Sequence, residues 1–206
     1  MQAQEIGTRW GSVLERVPFL SGIAKSHGWH YVISVCHRVA GVGLVVYLLV
    51  HLLTLSTLQT PSAYDGKMKI LSIPVVVVLA WLSCLPVVFH ALNGGRLILY
   101  ESFGNRNDAA MVRWTFGLTG LYAAVLGLLI LLRNQSVSPV FFWILFLTGG
   151  LLAASIVGAR LRGIGHSPFW MLQRITGAFL LVAIPAHLMF SHLSPGVSHE
   201  AQAVIL

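Results

Sequence analysis

Apolar residues run through this chain in five long stretches that contain no Asp, Glu, Lys or Arg: 39–64, 70–95, 114–132, 134–159 and 175–199. Each is long enough to cross a bilayer as a helix, which takes about 20 residues. The pattern predicts an all-α integral membrane bundle of five transmembrane helices at about 31–57, 70–98, 112–132, 139–160 and 169–193, with ends uncertain by ~2–4 residues. Residues 1–30 are expected to form an N-terminal segment, 31–193 the transmembrane domain, and 194–206 a tail on the opposite side. The connections are short, so helices adjacent in sequence are expected to be neighbours in space.

Composition agrees: 56% of the 206 residues are hydrophobic and 9% are charged, against about 25% charged in a soluble domain. A surface so poor in charge faces lipid, not water. The net charge of +7 does not signal nucleic acid, because the basic residues lie between apolar runs. Their distribution is a topology signal. If the N-terminus is inside, Lys67, Lys69 and Arg133 are the outer basic residues and the other ten Lys and Arg are inner. This bias predicts a cytoplasmic N-terminus in the inner (cytoplasmic) membrane. The first 25 residues carry scattered charge and do not resemble a cleavable signal peptide. Cys36 and Cys84 lie inside apolar runs and outside any C-x-x-C-H motif, so they are expected to be small core residues. Gly149 and Ala153 have the small-xxx-small spacing of close helix packing.

The chain also contains a repeat. Residues 38–52 and 174–188 align without gaps with six identities in fifteen positions, including Arg38/Arg174, Gly41/Gly177 and His51/His187. Matching leucines and valines mean little in a membrane protein, but Arg, Gly and His at equal offsets mean more. The first and fifth helices are two copies of one unit, both running outward. They therefore place His51 and His187 at matching depth in the outer leaflet. His37 lies 14 residues before His51, about 21 Å nearer the inner side at 1.5 Å per residue. His90, on the inward-running second helix, is also in the inner leaflet.

Ionisable side chains inside a membrane are costly and mark function. A lone histidine can equally be a hydrogen-bonded packing residue. Three deep histidines, two of them related by the repeat, form a stronger pattern: His51, His90 and His187 are candidate axial ligands of haem iron. Two imidazoles from facing helices fill both axial positions and give an electron carrier instead of an oxygen-activating site. Gly41 and Gly177 offer close approach to a flat macrocycle, or simply close helix packing. Arg38, Arg96 and Arg174 lie at inner helix ends, where they can pair with haem propionates or reach the headgroups; for Arg174 the expectation is snorkelling or topology marking. Ser34 and Arg38 are one turn apart on one face, suited to the carbonyl oxygens of a quinone. Pro86 and Pro185 precede His90 and His187 by four and two residues, and either open the helix near a ligand or are ordinary transmembrane prolines.

The run S-V-C-H-R-V-A-G (34–41) resembles the S-x-x-H-R-x-x-G signature of the cytochrome b membrane anchor of succinate dehydrogenase and fumarate reductase. The run H-A-L-N-G-G-R (90–96) resembles the haem-ligand helix of that family. L-Q-R-I-T-G followed by H-L, within 172–188, resembles the helix that opens the second half of the five-helix, two-haem anchors. The third and fourth helices show only hydrophobicity.

The resemblance implies a subunit of succinate:quinone oxidoreductase that does not itself oxidise succinate. Its implied partners are a flavoprotein subunit, an iron–sulfur subunit and the lipid bilayer. Its implied cofactors are haem b, two in the assembled complex, and quinone, with menaquinone expected. Ser34, Arg38 and His37 are implied at the quinone. His90 is implied as a ligand of the inner haem, and His51 and His187 as the pair on the outer haem.

One departure concerns the inner haem. The two-haem pattern has a further helix carrying a partner for His90, and the sequence ends at Leu206. The expectation is that a further membrane subunit supplies that ligand or that the natural chain is longer. Two other readings stay open: a b-type cytochrome anchor of another respiratory enzyme, and a haem-free transporter using histidines as a proton relay. The parallel repeat argues against the latter, whose repeats would be inverted.

Overall fold

A computed structural model describes residues 18–132, 139–163 and 165–189. The tail 194–206, His192 and Arg133 lie outside these residues. Among the described residues the helices follow in order α1 (Pro18–His27), α2 (Trp29–Ser56), a 3-10 turn (Thr57–Gln59), α3 (Pro61–Leu71), α4 (Pro74–Ser102), α5 (Asp108–Leu132), α6 (a rod of Pro139–Trp143, Ile144–Gly149 and Gly150–Leu161) and α7 (Pro168–Leu188). Among the described residues there is no strand. Helices α2, α4, α5, α6 and α7 are each long and apolar enough to cross a membrane. The all-α, five-span architecture expected from the apolar runs is present.

Several helix ends differ from the hydropathy pattern by up to four residues, and two breaks have a local cause. The second span does not begin near 70, because α3 ends at Leu71 and α4 starts at Pro74. Proline lacks an N–H and has a preset φ, which suits the first turn of a helix, and it drives the preceding residue out of the α region. Ile73 is accordingly extended, at φ −62° and ψ 130°. Likewise the N-terminal segment is not all irregular. α1 forms and then breaks from α2 at Gly28, whose φ of +81° suits glycine.

α4 is the central rod and packs against α2, α5, α6 and α7, while α6 lies against α7. One apolar cluster joins Ile33, Ala40, Phe89 and Val112 from α2, α4 and α5. A second joins Ile98, Val157, Leu161 and Ala178 from α4, α6 and α7. Many other apolar side chains point outwards, such as Val39 and Val42 at 66% and 67% exposure, as a lipid-facing surface requires.

α6 and α7 meet through small residues. A Cβ on Gly149 would sit 3.1 Å from Val182, and one on Gly150 only 2.7 Å from the Phe179 ring. The middle of α6 is wound as a π-helix over Ile144–Gly149, next to this contact. Trp81 of α4 donates its indole N–H to the Ala123 carbonyl of α5 at 2.9 Å. Pro86 and Pro185 sit inside α4 and α7 without ending them.

Candidate functional site

The deep histidines come together as two pairs. In the first, His51 of α2 and His187 of α7 have ring centres 6.3 Å apart and planes at 83°. An imidazole nitrogen lies about 1.1 Å from its ring centre and binds a metal at about 2.0 Å, so two imidazoles across one metal have centres about 6.2 Å apart. The separation matches that of two imidazoles that would hold one metal between them. The equal depth expected from the helix repeat is what brings the two rings together. Tyr47, one turn before His51, lies parallel to it with ring centres 5.9 Å apart.

The second pair is different. His37 of α2 and His90 of α4 are stacked face to face, with centres 4.0 Å apart and planes within 5°. That is too close for a metal between them, so His37 does not sit across an iron from His90. His90 Nδ1 lies 3.1 Å from the His37 carbonyl oxygen. A carbonyl only accepts, so Nδ1 donates this hydrogen bond and leaves Nε2 as the ring nitrogen not engaged by it. Gly41 lies against the same ring: a Cβ there would be 3.0 Å from His90 Cε1 and 3.4 Å from Nδ1. Gly177, its repeat counterpart, faces Ile98 at 3.8 Å. His37 Nδ1 is buried and has no hydrogen-bond partner among the described residues. Ser34 is half-buried and Arg38 exposed on the same helix.

Beyond His90, α4 carries a polar network. Asn93, 1% exposed, accepts from Arg96 Nε at 2.9 Å. Arg96 also donates to Asp108 Oδ1 at the start of α5. The other oxygen of Asp108 lies 3.0 Å from His30 Nδ1 of α2. The network ties together the ends of three spans. Arg174 of α7 does not reach freely for headgroups as its sequence position suggested. Its NH2 is 2.5 Å and its Nε 2.8 Å from Glu101 Oε2 of α4, and its guanidinium lies 4.7 Å from the Trp170 ring. Arg160 donates to the Ser102 carbonyl at 3.0 Å.

The sequence pattern named Arg96 and Arg174 but missed Asp108, Glu101 and His30. The available signal was the scarcity of acids: only six Asp and Glu in the chain, two of them at the ends of apolar runs that carry arginines. Among the described residues no group of three or more His, Cys, Asp or Glu could hold a bare metal ion. A haem brings four nitrogens of its own, so His51 and His187 would be the residues to hold one.

An all-α bundle with five helices long and apolar enough to cross a membrane defines a multi-pass membrane protein. Residues 20–130 match the family described as succinate dehydrogenase/fumarate reductase transmembrane subunit, and the chain belongs to that family. It is also 35% identical over 86 residues to the succinate dehydrogenase 2 membrane subunit SdhC of Mycobacterium tuberculosis. That stretch covers 40% of this chain and 62% of the relative. No solved structure matches. The family match covers α1 to α5 and therefore Ser34, His37, Arg38, His51 and His90, whereas His187 lies beyond it.

Proposed function

We propose that this chain is the haem b anchor of a succinate dehydrogenase or fumarate reductase, passing electrons between an iron–sulfur subunit and membrane quinone. Family membership supports a membrane subunit of that complex. The observation that carries the finer reading is the His51–His187 pair, with ring centres 6.3 Å apart on the two repeated helices. Haem b held there supplies one-electron transfer across the outer half of the membrane. His90, whose Nδ1 is engaged by the His37 carbonyl, is the ligand of the inner haem through Nε2, and the second imidazole of that haem comes from outside the described residues.

The quinone sits at the inner end of α2. The Ser34 hydroxyl and Arg38 guanidinium, one turn apart, hold its carbonyl oxygens. The Arg38 guanidinium stabilises the negative charge that grows on a carbonyl during reduction. The unpartnered His37 Nδ1 offers a proton-exchanging group beside it. The ten inner basic residues support a cytoplasmic N-terminus in the inner membrane, so the iron–sulfur and flavoprotein subunits dock on the side of His37 and His90.

The test is the assembled complex in native membranes. Dithionite-reduced minus oxidised spectra should show b-type haem. Arg38→Leu should remove succinate:quinone activity while succinate oxidation by an artificial dye persists. A complex without b-type absorption, or quinone activity unchanged in Arg38→Leu, contradicts the proposal.

A further inference from the structure

We propose that Gly41 and the main-chain carbonyl of His37 form a seat on α2 that fixes the tautomer and tilt of the His90 imidazole. This rests on the reading of His90 as an iron ligand. Three contacts define the seat. The His37 carbonyl receives the Nδ1 proton at 3.1 Å. The His37 ring covers one face at 4.0 Å. The bare backbone of Gly41 lies against the Cε1 edge.

Cε1 is bonded to both ring nitrogens. Pressure on that atom therefore tilts Nε2, the ligating nitrogen, and strains the Nδ1 hydrogen bond at the same time. A methyl at position 41 would stand 3.0 Å from Cε1, closer than carbon atoms pack, so the ring must turn by a few tenths of an ångström. A hydrogen bond on the far nitrogen sets ligand orientation and basicity, and both tune the metal.

The requirement is local to Gly41. Gly43, two residues on, has nothing within 4 Å of an added Cβ, and at Gly177 the added Cβ makes only ordinary contact with Ile98 at 3.8 Å. The glycine of the S-x-x-H-R-x-x-G run is thus a positioning residue for a histidine on another helix, in addition to letting the helices approach.

The experiment is a redox titration of the assembled complex in native membranes, followed by visible absorption, for Gly41→Ala, Gly43→Ala, Gly177→Ala and His90→Ala. Gly41→Ala should keep its haem content but show one component with a displaced midpoint and an altered absorption band. That component should be the one missing from His90→Ala. Gly43→Ala and Gly177→Ala should titrate like the parent. A parental titration for Gly41→Ala, or equal displacement in all three glycine variants, overturns the proposal. Should Gly41→Ala fail to assemble, the double variant Gly41→Ala/His90→Ala decides: removing the ring should restore assembly to the level of His90→Ala. Failure of the double variant while His90→Ala assembles shows a helix-packing role and overturns the seat. Full haem content in His90→Ala instead refutes the ligand assignment on which the proposal rests.

Discussion

Removing the Asp108 carboxylate leaves Arg96 charged, with a side chain only 11% exposed and no counter-ion. Breaking a buried pair from one side costs about 3–5 kcal/mol, while exposed pairs are worth about 0–1 kcal/mol. Asp108 is itself 21% exposed, which puts Asp108→Leu between these limits, at about 2–3 kcal/mol. Part of that is the loss of an acid at the start of α5, about 0.3–1 kcal/mol.

Arg96→Leu should cost less, because the carboxylate left behind can turn to solvent and to His30. The double variant replaces the pair with apolar volume and should be more stable than Asp108→Leu alone, giving a coupling of about 2 kcal/mol. That corresponds to about thirtyfold in the folding equilibrium. Reversible unfolding of the purified protein in mixed micelles, titrated with SDS, reads all four corners of the cycle. His30→Ala belongs in the same series and should change stability by less than about 1 kcal/mol, since the ring is 69% exposed. Additive single variants, with no coupling, would refute the claim that this pair holds α4 to α5.

Other consequences follow from the packing and the ring geometry. Gly150→Ala puts a methyl 2.7 Å from the Phe179 ring and should cost about 1–3 kcal/mol by overpacking, while Gly120→Ala, with nothing within 4 Å, should be neutral in the same unfolding assay. Imidazole planes at 83° leave two ferric d orbitals nearly degenerate. The His51–His187 haem should therefore give a strongly anisotropic low-spin EPR signal that disappears in His51→Ala. A rhombic signal typical of parallel imidazoles at that site would show that the rings turn on binding.

The spans were legible because charge-free runs of about 20 residues have few other uses, and the repeat alone puts His51 and His187 at matching depth. What the sequence hid were contacts set by helix rotation. Nothing in the run 34–41 shows that Gly41 faces His90 instead of lipid, because α2 is apolar on nearly all sides. The stacking of His37 on His90 was hidden for the same reason. Glu101 and Asp108 are single acids at helix ends, and an ion pair between helices leaves no period in either helix. The break at Ile73 was readable from Pro74, but continuous hydropathy masked it. The π-wound stretch of α6 has no clear signature in Ile144–Gly149.

The central claim is that helices α2 and α7 hold one haem between His51 and His187. Its most direct test is pyridine haemochrome stoichiometry of the assembled complex for His51→Ala and His187→Ala. Each variant should lose one b-type haem, both should lose the same spectral component, and the component dependent on His90 should remain. Full haem content in both variants, or loss of different components in the two, would contradict it.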